Sequence, residues 1–162
     1  GYGMTQVRAV AGQRAWPAVA GAILVLAVVE PLAAPLELVR AGAVSPIYDR
    51  LRDEPDAVVI EVPFQTQAAG FQQARYMLNS TRHWKPMLNG YSGYRPQSFY
   101  ETADRVRSFP SDASLAWLRS RGVTHIYVQL GAYDEGMRQR LASLPALREM
   151  VADRGVVLYA LK

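Results

Sequence analysis

No cysteine occurs in this chain of 162 residues, and there are only two histidines. The first absence removes a disulfide framework, a thiolate metal site and a cysteine nucleophile. The second leaves too little for a zinc centre, because His83 and His125 lie far apart and no Asp or Glu completes a recognisable ligand spacing. No metal and no cofactor is expected. Runs of Lys or Arg never exceed two residues, and aromatics do not alternate with bases along one element, so the net charge of +4 does not read as a nucleic-acid footprint. A Gly-x-Ser-x-Gly elbow is missing, as are the Lys-Ser/Thr ending of a P-loop and the glycine spacing of a dinucleotide fingerprint. No period of 20 to 50 residues repeats, which excludes a solenoid.

Charge is also absent from Ala15 to Val29, AWPAVAGAILVLAVV, a run preceded by Arg8 and Arg14 and followed by Glu30 and Pro31. Fifteen helical residues rise about 22 Å against a hydrocarbon core of about 30 Å, so the run reaches a membrane-spanning length only if it continues to Leu36 with Glu30 inside. Three readings compete: a transmembrane helix over 15–36, a secretion signal beginning at Met4, and a buried helix of a soluble domain. The first is preferred, since Pro35 after Ala34 makes a poor cleavage site. Two arginines on the N-terminal side then make 1–14 a cytoplasmic stub and put 37–162 outside the cytoplasm, on a bacterial cell membrane.

Half of the residues are hydrophobic, enough for a real core in a domain of about 120 residues. Ser45–Arg52 has a capping serine, a first-turn proline, and Ile47 and Leu51 on one face, which predicts a short helix. Ala57–Val62 is a β-branched run between prolines and predicts a buried strand. Gly70–Leu78 is expected to be helical, with Phe71, Ala74 and Leu78 sharing one face. Pro86–Leu88 suggests a short strand and Phe99–Val106 a helix. Ser111 or Asp112 opens another helix through Leu115 and Leu118, and Gly122 stops it. Val123–Leu130 predicts a strand and Asp134–Leu144 a helix. The apolar runs 147–152 and 156–161 around Asp153-Arg154-Gly155 predict a hairpin. The expected fold is thus α/β: an apolar N-terminal helix, then a small three-layer domain whose mixed sheet ends in a C-terminal β-hairpin.

The chemistry-bearing segment is Tyr76–Pro96, YMLNSTRHWKPMLNGYSGYRP. It is too polar for a core element and too aromatic for a solvated linker. Rings, amides and a His-Trp-Lys cluster suit a polyhydroxylated ligand or a membrane-interface contact. Candidate ligand-binding residues are Glu61, His83, Trp84, Lys85, Asn89, Tyr91 and Tyr94. Glu61 ends its strand where open α/β sheets bind ligands, although a strand-terminal Glu also caps helices or pairs with arginines. His83, Trp84 and Lys85 are adjacent, so their side chains must diverge. His125, among apolar neighbours, reads as a satisfied core histidine, and no catalytic residue is assigned.

Taken in order, an apolar helix, IYDRL, VIEVPF, the block YMLNSTRHWKPMLNGYSGYRP, FPSDASLAWLRSRGVTHIYV and a terminal hairpin resemble one known arrangement. It is the C-terminal tail of bacterial polytopic membrane proteins of the lipid-sugar-dependent glycosyltransferase superfamily, relatives of the protein mannosyltransferases and aminoarabinose transferases. The resemblance covers roughly residues 15–161 and is most specific in the ML-ST-HWKP-NGYSGY block. It implies an extracytoplasmic α/β domain attached to a membrane-embedded transferase with a polyprenyl-phosphate sugar donor. In that superfamily the catalytic acid lies in an early external loop of a much longer chain, which has no counterpart here. The chain therefore looks like a fragment or a split product: an accessory domain that contacts glycan or lipid-linked acceptor and is not catalytic alone. Its expected partners are the membrane, a polyprenyl-phosphate sugar or glycan, and a membrane-embedded partner or missing N-terminal part, with no nucleic acid. The alternatives are a purely structural domain docking on a membrane core or partner, and a small independent hydrolase using Glu61 and His83.

Overall fold

The computed structural model describes the backbone of residues 2–29, 42–66 and 70–162. The chain divides into two units, Gly1–Arg40 and Ala41–Lys162. In the first, helix α1 runs over Tyr2–Val29 and so takes in residues 2–14 of the segment expected as a cytoplasmic stub. Pro17 lies inside α1 and removes one backbone donor from its ladder. The apolar residues of α1 surround its axis rather than forming one stripe. Leu24, Val25, Leu26, Val28 and Val29 are all exposed. Among the described residues, no helix is long and apolar enough to cross a membrane. Of the transmembrane helix expected over 15–36, residues 15–29 are helical without support for a span, and 30–36 lie outside the described residues.

The second unit is an α/β fold around a four-stranded mixed sheet. Strand β1 is Val59–Val62, β2 is His125–Gln129, β3 is Leu147–Asp153 and β4 is Val156–Leu161, in spatial order β1-β2-β4-β3. The β1–β2 pair is parallel and both β4 pairs are antiparallel, so the expected hairpin sits at one edge with β3 outermost. Its turn residues, Arg154 and Gly155, both have positive φ. A bulge interrupts β3 between Glu149 and Val151, and the exposed Arg148 and Glu149 make that edge a poor template for another strand.

Both faces of the sheet are covered, because its side chains alternate between two cores. On one face Ile60, Val62, Ile126, Val128 and Val157 pack with Val106, Leu115, Leu118 and Leu141 from three helices. These are α3 (Gln97–Val106), α4 (Asp112–Ser120) and α5 (Glu135–Ser143). On the other face Val59, Tyr127 and Leu158 pack with Ile47, Tyr48 and Leu51 of a 3-10 helix, Pro46–Leu51. Side-chain caps start the 3-10 helix, α4 and α5. Ser45 Oγ accepts from Ile47 N at 3.2 Å, Ser111 Oγ from Ser114 N at 3.3 Å, and Asp134 Oδ1 from Met137 N at 2.8 Å. Gly122, at φ 77°, ends the turn after α4.

The remaining helix, α2 (Gly70–Ser80), buries a face other than the one its apolar residues share. Leu78 is exposed and Ala74 only half-buried, while Phe71 falls outside the described side chains. Gln73, Tyr76 and Asn79, three apart along the helix, are buried instead. A polar stripe turns inward: Asn79 donates to the carboxyl group in β1, Tyr76 to the Pro63 carbonyl and Gln73 to the Gln65 carbonyl.

The core on the α4 side should respond to cavity formation in the ordinary way. Leu118 has no exposed surface, and Leu118→Ala is expected to lower unfolding free energy by about 3 kcal/mol in urea titration. A loss under about 1 kcal/mol would show that α4 does not close this core.

Candidate functional site

Glu61 is the third residue of β1, on the face opposite Ile60 and Val62, and only 1% of it is exposed. Three donors converge on one of its oxygens. Tyr48 Oη and Gln129 Nε2 each make a short hydrogen bond to Oε1, and Asn79 Nδ2 donates to the same atom at 3.3 Å. Gln129 Nε2 also donates to Tyr48 Oη at 3.0 Å. Burial pushes the Glu61 carboxyl up to about 7, against the opposing pull of these three donors and of the Arg75 charge. Burial and the nearby Glu61 raise the Tyr48 phenol well above its ordinary range.

Asn89 holds the backbone around this residue. Its Oδ1 accepts from Glu61 N at 2.7 Å, and its Nδ2 donates to Glu61 O at 2.9 Å and to Gln73 Oε1 at 3.2 Å. Just before it, Val59 N donates to Pro86 O and Leu88 N to Val59 O, both at 2.9 Å. The expected strand at 86–88 is therefore a single parallel bridge, Met87 to Val59, which the Asn89 amide extends by imitating a peptide group. The outer edge of β1 keeps its hydrogen bonds without a full fifth strand.

Around this network opens a crevice of about 560 Å³, at the carboxyl ends of β1 and β2. Tyr48, Asn79 and Gln129, the three partners of Glu61, line it together with Arg75, Tyr76 and Arg154. Arg75 is held by the Gly42 and Ala43 carbonyls at 2.9 and 3.0 Å. Glu61 lies beside the expected crevice, but behind its partners rather than in the open. Asn79-Ser80-Thr81 has the spacing of a glycosylation acceptor, yet Asn79 is only 3% exposed and bound to Glu61.

The other predicted residues do not join Glu61. His83 is 4% exposed, stacks on Tyr127 with centroids 6.0 Å apart, and accepts from Lys85 N through Nδ1 at 3.0 Å. Burial and the Lys85 charge lower its pKa to about 4. Trp84 is 79% exposed and adopts φ 55°, a strained conformation for a bulky residue. Both lie just before the bridge to the first residue of β1, away from the strand ends that bear the crevice. For the alternative of a hydrolase using Glu61 and His83, the donors on Glu61 are Tyr48, Gln129 and Asn79, and no hydrogen bond joins the pair among the described residues. His125 is half-buried and shares a hydrogen bond with Thr124 Oγ1 at 2.8 Å, in line with a satisfied histidine.

Tyr91 and Tyr94 belong to a different opening, a groove of about 570 Å³ shared with Arg95, Phe99, Trp117 and Arg121. Tyr94 is 78% exposed. The Arg95 guanidinium lies 5.5 Å from the Phe99 ring centre and that of Arg121 5.1 Å from the Trp117 ring centre. Arg121 also pairs with Glu101 at 3.0 Å. Sequence reading missed Trp117 and Arg121 because each looks like ordinary helix surface. Their four-residue spacing, which puts a guanidinium above an indole, was the available signal. The seven candidates therefore divide into a buried pair (Glu61, Asn89), a loop anchor (His83 with Lys85), an exposed ring (Trp84) and a groove (Tyr91, Tyr94).

Among the described residues, no group of three His, Asp or Glu side chains could hold a metal ion. No protein family, curated protein or solved structure matches the chain.

The Glu61 carboxyl should make stability depend on pH. The folded state keeps its proton up to about pH 7, whereas an unfolded chain releases it near 4.5. Its contribution is full below 4.5 and lost as pH rises through 7. His83 acts oppositely, since its folded pKa of about 4 lies under the usual 6.5, and its contribution is lost as pH falls through that interval. Glu61→Gln should therefore gain stability relative to the parent by about 3 kcal/mol between acid and neutral pH, read from urea midpoints. A parent-minus-variant difference that stays constant with pH would contradict a raised Glu61.

Proposed function

We propose that this chain is a membrane-tethered accessory domain of a glycosyltransferase-like membrane protein, which holds glycan or a lipid-linked acceptor and does not catalyse transfer by itself. The observation that carries this reading is the groove in which Tyr91, Tyr94, Phe99 and Trp117 are flanked by Arg95 and Arg121. Aromatic faces stack on the apolar faces of sugar rings, and guanidinium groups pair with phosphate or carboxylate on the same ligand. The candidate Lys85 is not part of the groove, so the two arginines are its anion-pairing groups. A purely recognitive role agrees with the separation of Glu61 from His83, because neither has the other as an acid-base partner.

The membrane part of the proposal rests on α1. Its residues 15–29 carry no charge, an uncharged helical run of that kind is normally covered by lipid or by other helices, and Leu26 is 66% exposed. Docking on a membrane-embedded protein remains the second reading, favoured by Trp84: a strained, exposed indole is the kind of residue that anchors an interface.

Titrating the protein with soluble oligosaccharides and with a polyprenyl-phosphate sugar in micelles, while following tryptophan fluorescence, tests the groove. Saturable quenching is expected, and Tyr91→Ala with Tyr94→Ala should weaken it about tenfold or more at unchanged thermal stability. Absence of saturation with every glycan, or equal affinity in the double variant, would reject the groove as a glycan site. The tether is tested by flotation. The full chain should rise with phosphatidylglycerol vesicles, and Leu26→Asp with Val28→Asp should leave it in the lower fractions. Unchanged flotation of that variant would remove α1 from any membrane role.

A further inference from the structure

The groove leaves the crevice beside Glu61 unexplained, and one atom there is out of balance. Asn79 lines the crevice at 3% exposure with Nδ2 committed to Glu61, while its Oδ1 is buried without a hydrogen-bond partner among the described residues. A buried acceptor left unmade costs about 1–3 kcal/mol, enough to require a reason. Turning the amide over does not remove the problem, because Nδ2 would then be the orphan and Oδ1 would face Glu61 Oε1.

The lining says what would complete it. Arg75 uses one N–H from each of its two terminal nitrogens on the Gly42 and Ala43 carbonyls and keeps the remaining donors of its fork. Arg154 stands in the hairpin turn with only a loose approach to Asp153 Oδ1, at 4.0 Å. The other Asp153 oxygen accepts from Ser45 Oγ. Glu61 is enclosed, with its Oε1 already accepting three hydrogen bonds, and it holds its proton up to about 7. An ammonium ligand would thus meet two guanidinium groups and no carboxylate among the lining side chains. A hydroxyl donor beside an anionic group meets the opposite situation.

We propose that this crevice is a binding site for a small hydroxylated anion, a sugar phosphate or sugar acid, which donates a hydroxyl hydrogen to Asn79 Oδ1 and sets its negative group against Arg154 and Arg75. The volume of about 560 Å³ falls within the range of small-ligand sites. The site sits where open sheets place their ligands, at the carboxyl ends of parallel strands. It shares no lining residue with the aromatic groove, so it stands or falls apart from the glycan reading.

The test uses four probes on the full chain, followed by amide chemical shifts: glucose 6-phosphate, gluconate, glucose and inorganic phosphate. The expected result is that glucose 6-phosphate or gluconate saturates at millimolar concentration or below. Shifts should centre on Asn79, Gln129 and Gly155, and glucose or phosphate alone should bind about tenfold more weakly or worse. Asn79→Leu removes the acceptor and should reduce that affinity about tenfold or more. Arg154→Gly suits the positive φ of an exposed turn residue and so preserves the fold. It should weaken the anionic probes and leave glucose unaffected. No saturation by any probe, shifts confined to Tyr91 and Trp117, or phosphate binding equal in parent and Arg154→Gly would each overturn the proposal. Binding that survives Tyr91→Ala with Tyr94→Ala would separate this site from the groove.

Discussion

A carboxyl group enclosed in the sheet imposes the strongest single constraint on the α/β unit. Removing an ionised carboxylate from water costs several kcal/mol even after relaxation, and each hydrogen bond to it returns about 1.5–3 kcal/mol. Glu61 recruits three donors, one from the 3-10 helix, one from α2 and one from β2. Its pKa still rises from 4.5 to about 7, so enclosure wins over the donors by about 3 kcal/mol. The same demand draws three separate elements onto β1, and Asn89 fixes the strand to which they are drawn. The group costs stability at neutral pH and contributes register in return, since a one-residue slip of β1 would put Glu61 into the core formed by α3, α4 and α5.

That demand also bears on the orientation of α2. Tyr76 and Asn79 turn toward the crevice while Met77, one residue on from Tyr76, faces the aromatic groove. A single helix therefore contributes to both openings from opposite sides, and its rotation about its own axis would alter both at once. Gln73 opposes such rotation by linking Asn89 to the Gln65 carbonyl at 3.1 Å. The two sites have different chemistry because they sit on the two sides of this helix: amides, phenols and guanidinium groups on one, rings with guanidinium groups on the other.

Much of the fold was legible because local chemistry and tertiary need agree. Ser45, Ser111 and Asp134 satisfy backbone donors within their own turns, and the β-branched runs at 57–62 and 123–130 have one sensible burial. The buried face of α2 was not legible because its apolar positions, 71, 74 and 78, form a helical pattern as good as the polar one at 73, 76 and 79. Only partners outside the helix decide between them. The candidate site shows the same limit. Proximity along the chain suggested a His-Trp-Lys surface, whereas His83 had been committed to the Tyr127 ring and Trp84 pushed outward by its neighbours' needs. Asn89, a candidate ligand contact by its sequence, has its partner in the backbone of Glu61. The four-residue spacing of Trp117 and Arg121 signalled their stacking but not the groove, since Tyr91 and Tyr94 reach it from a loop far away in sequence.

The disposition of the titratable groups bears on the proposed role in recognition. A general acid or base must reach the atom whose proton it moves, directly or through one water. Glu61 has a pKa suited to such work near neutrality, which in isolation would mark it as catalytic. Its oxygen Oε1 is already shared by Tyr48, Gln129 and Asn79, and the residue offers 1% of its surface to anything outside. His83, held neutral by burial, is turned into the packing of Tyr127. What the crevice and the groove do present is a set of fixed donors, acceptors and rings whose positions are enforced by the network behind them. Fixed groups of that kind discriminate among ligands by leaving the wrong one with unpaired polar atoms, and they do so without any change in protonation.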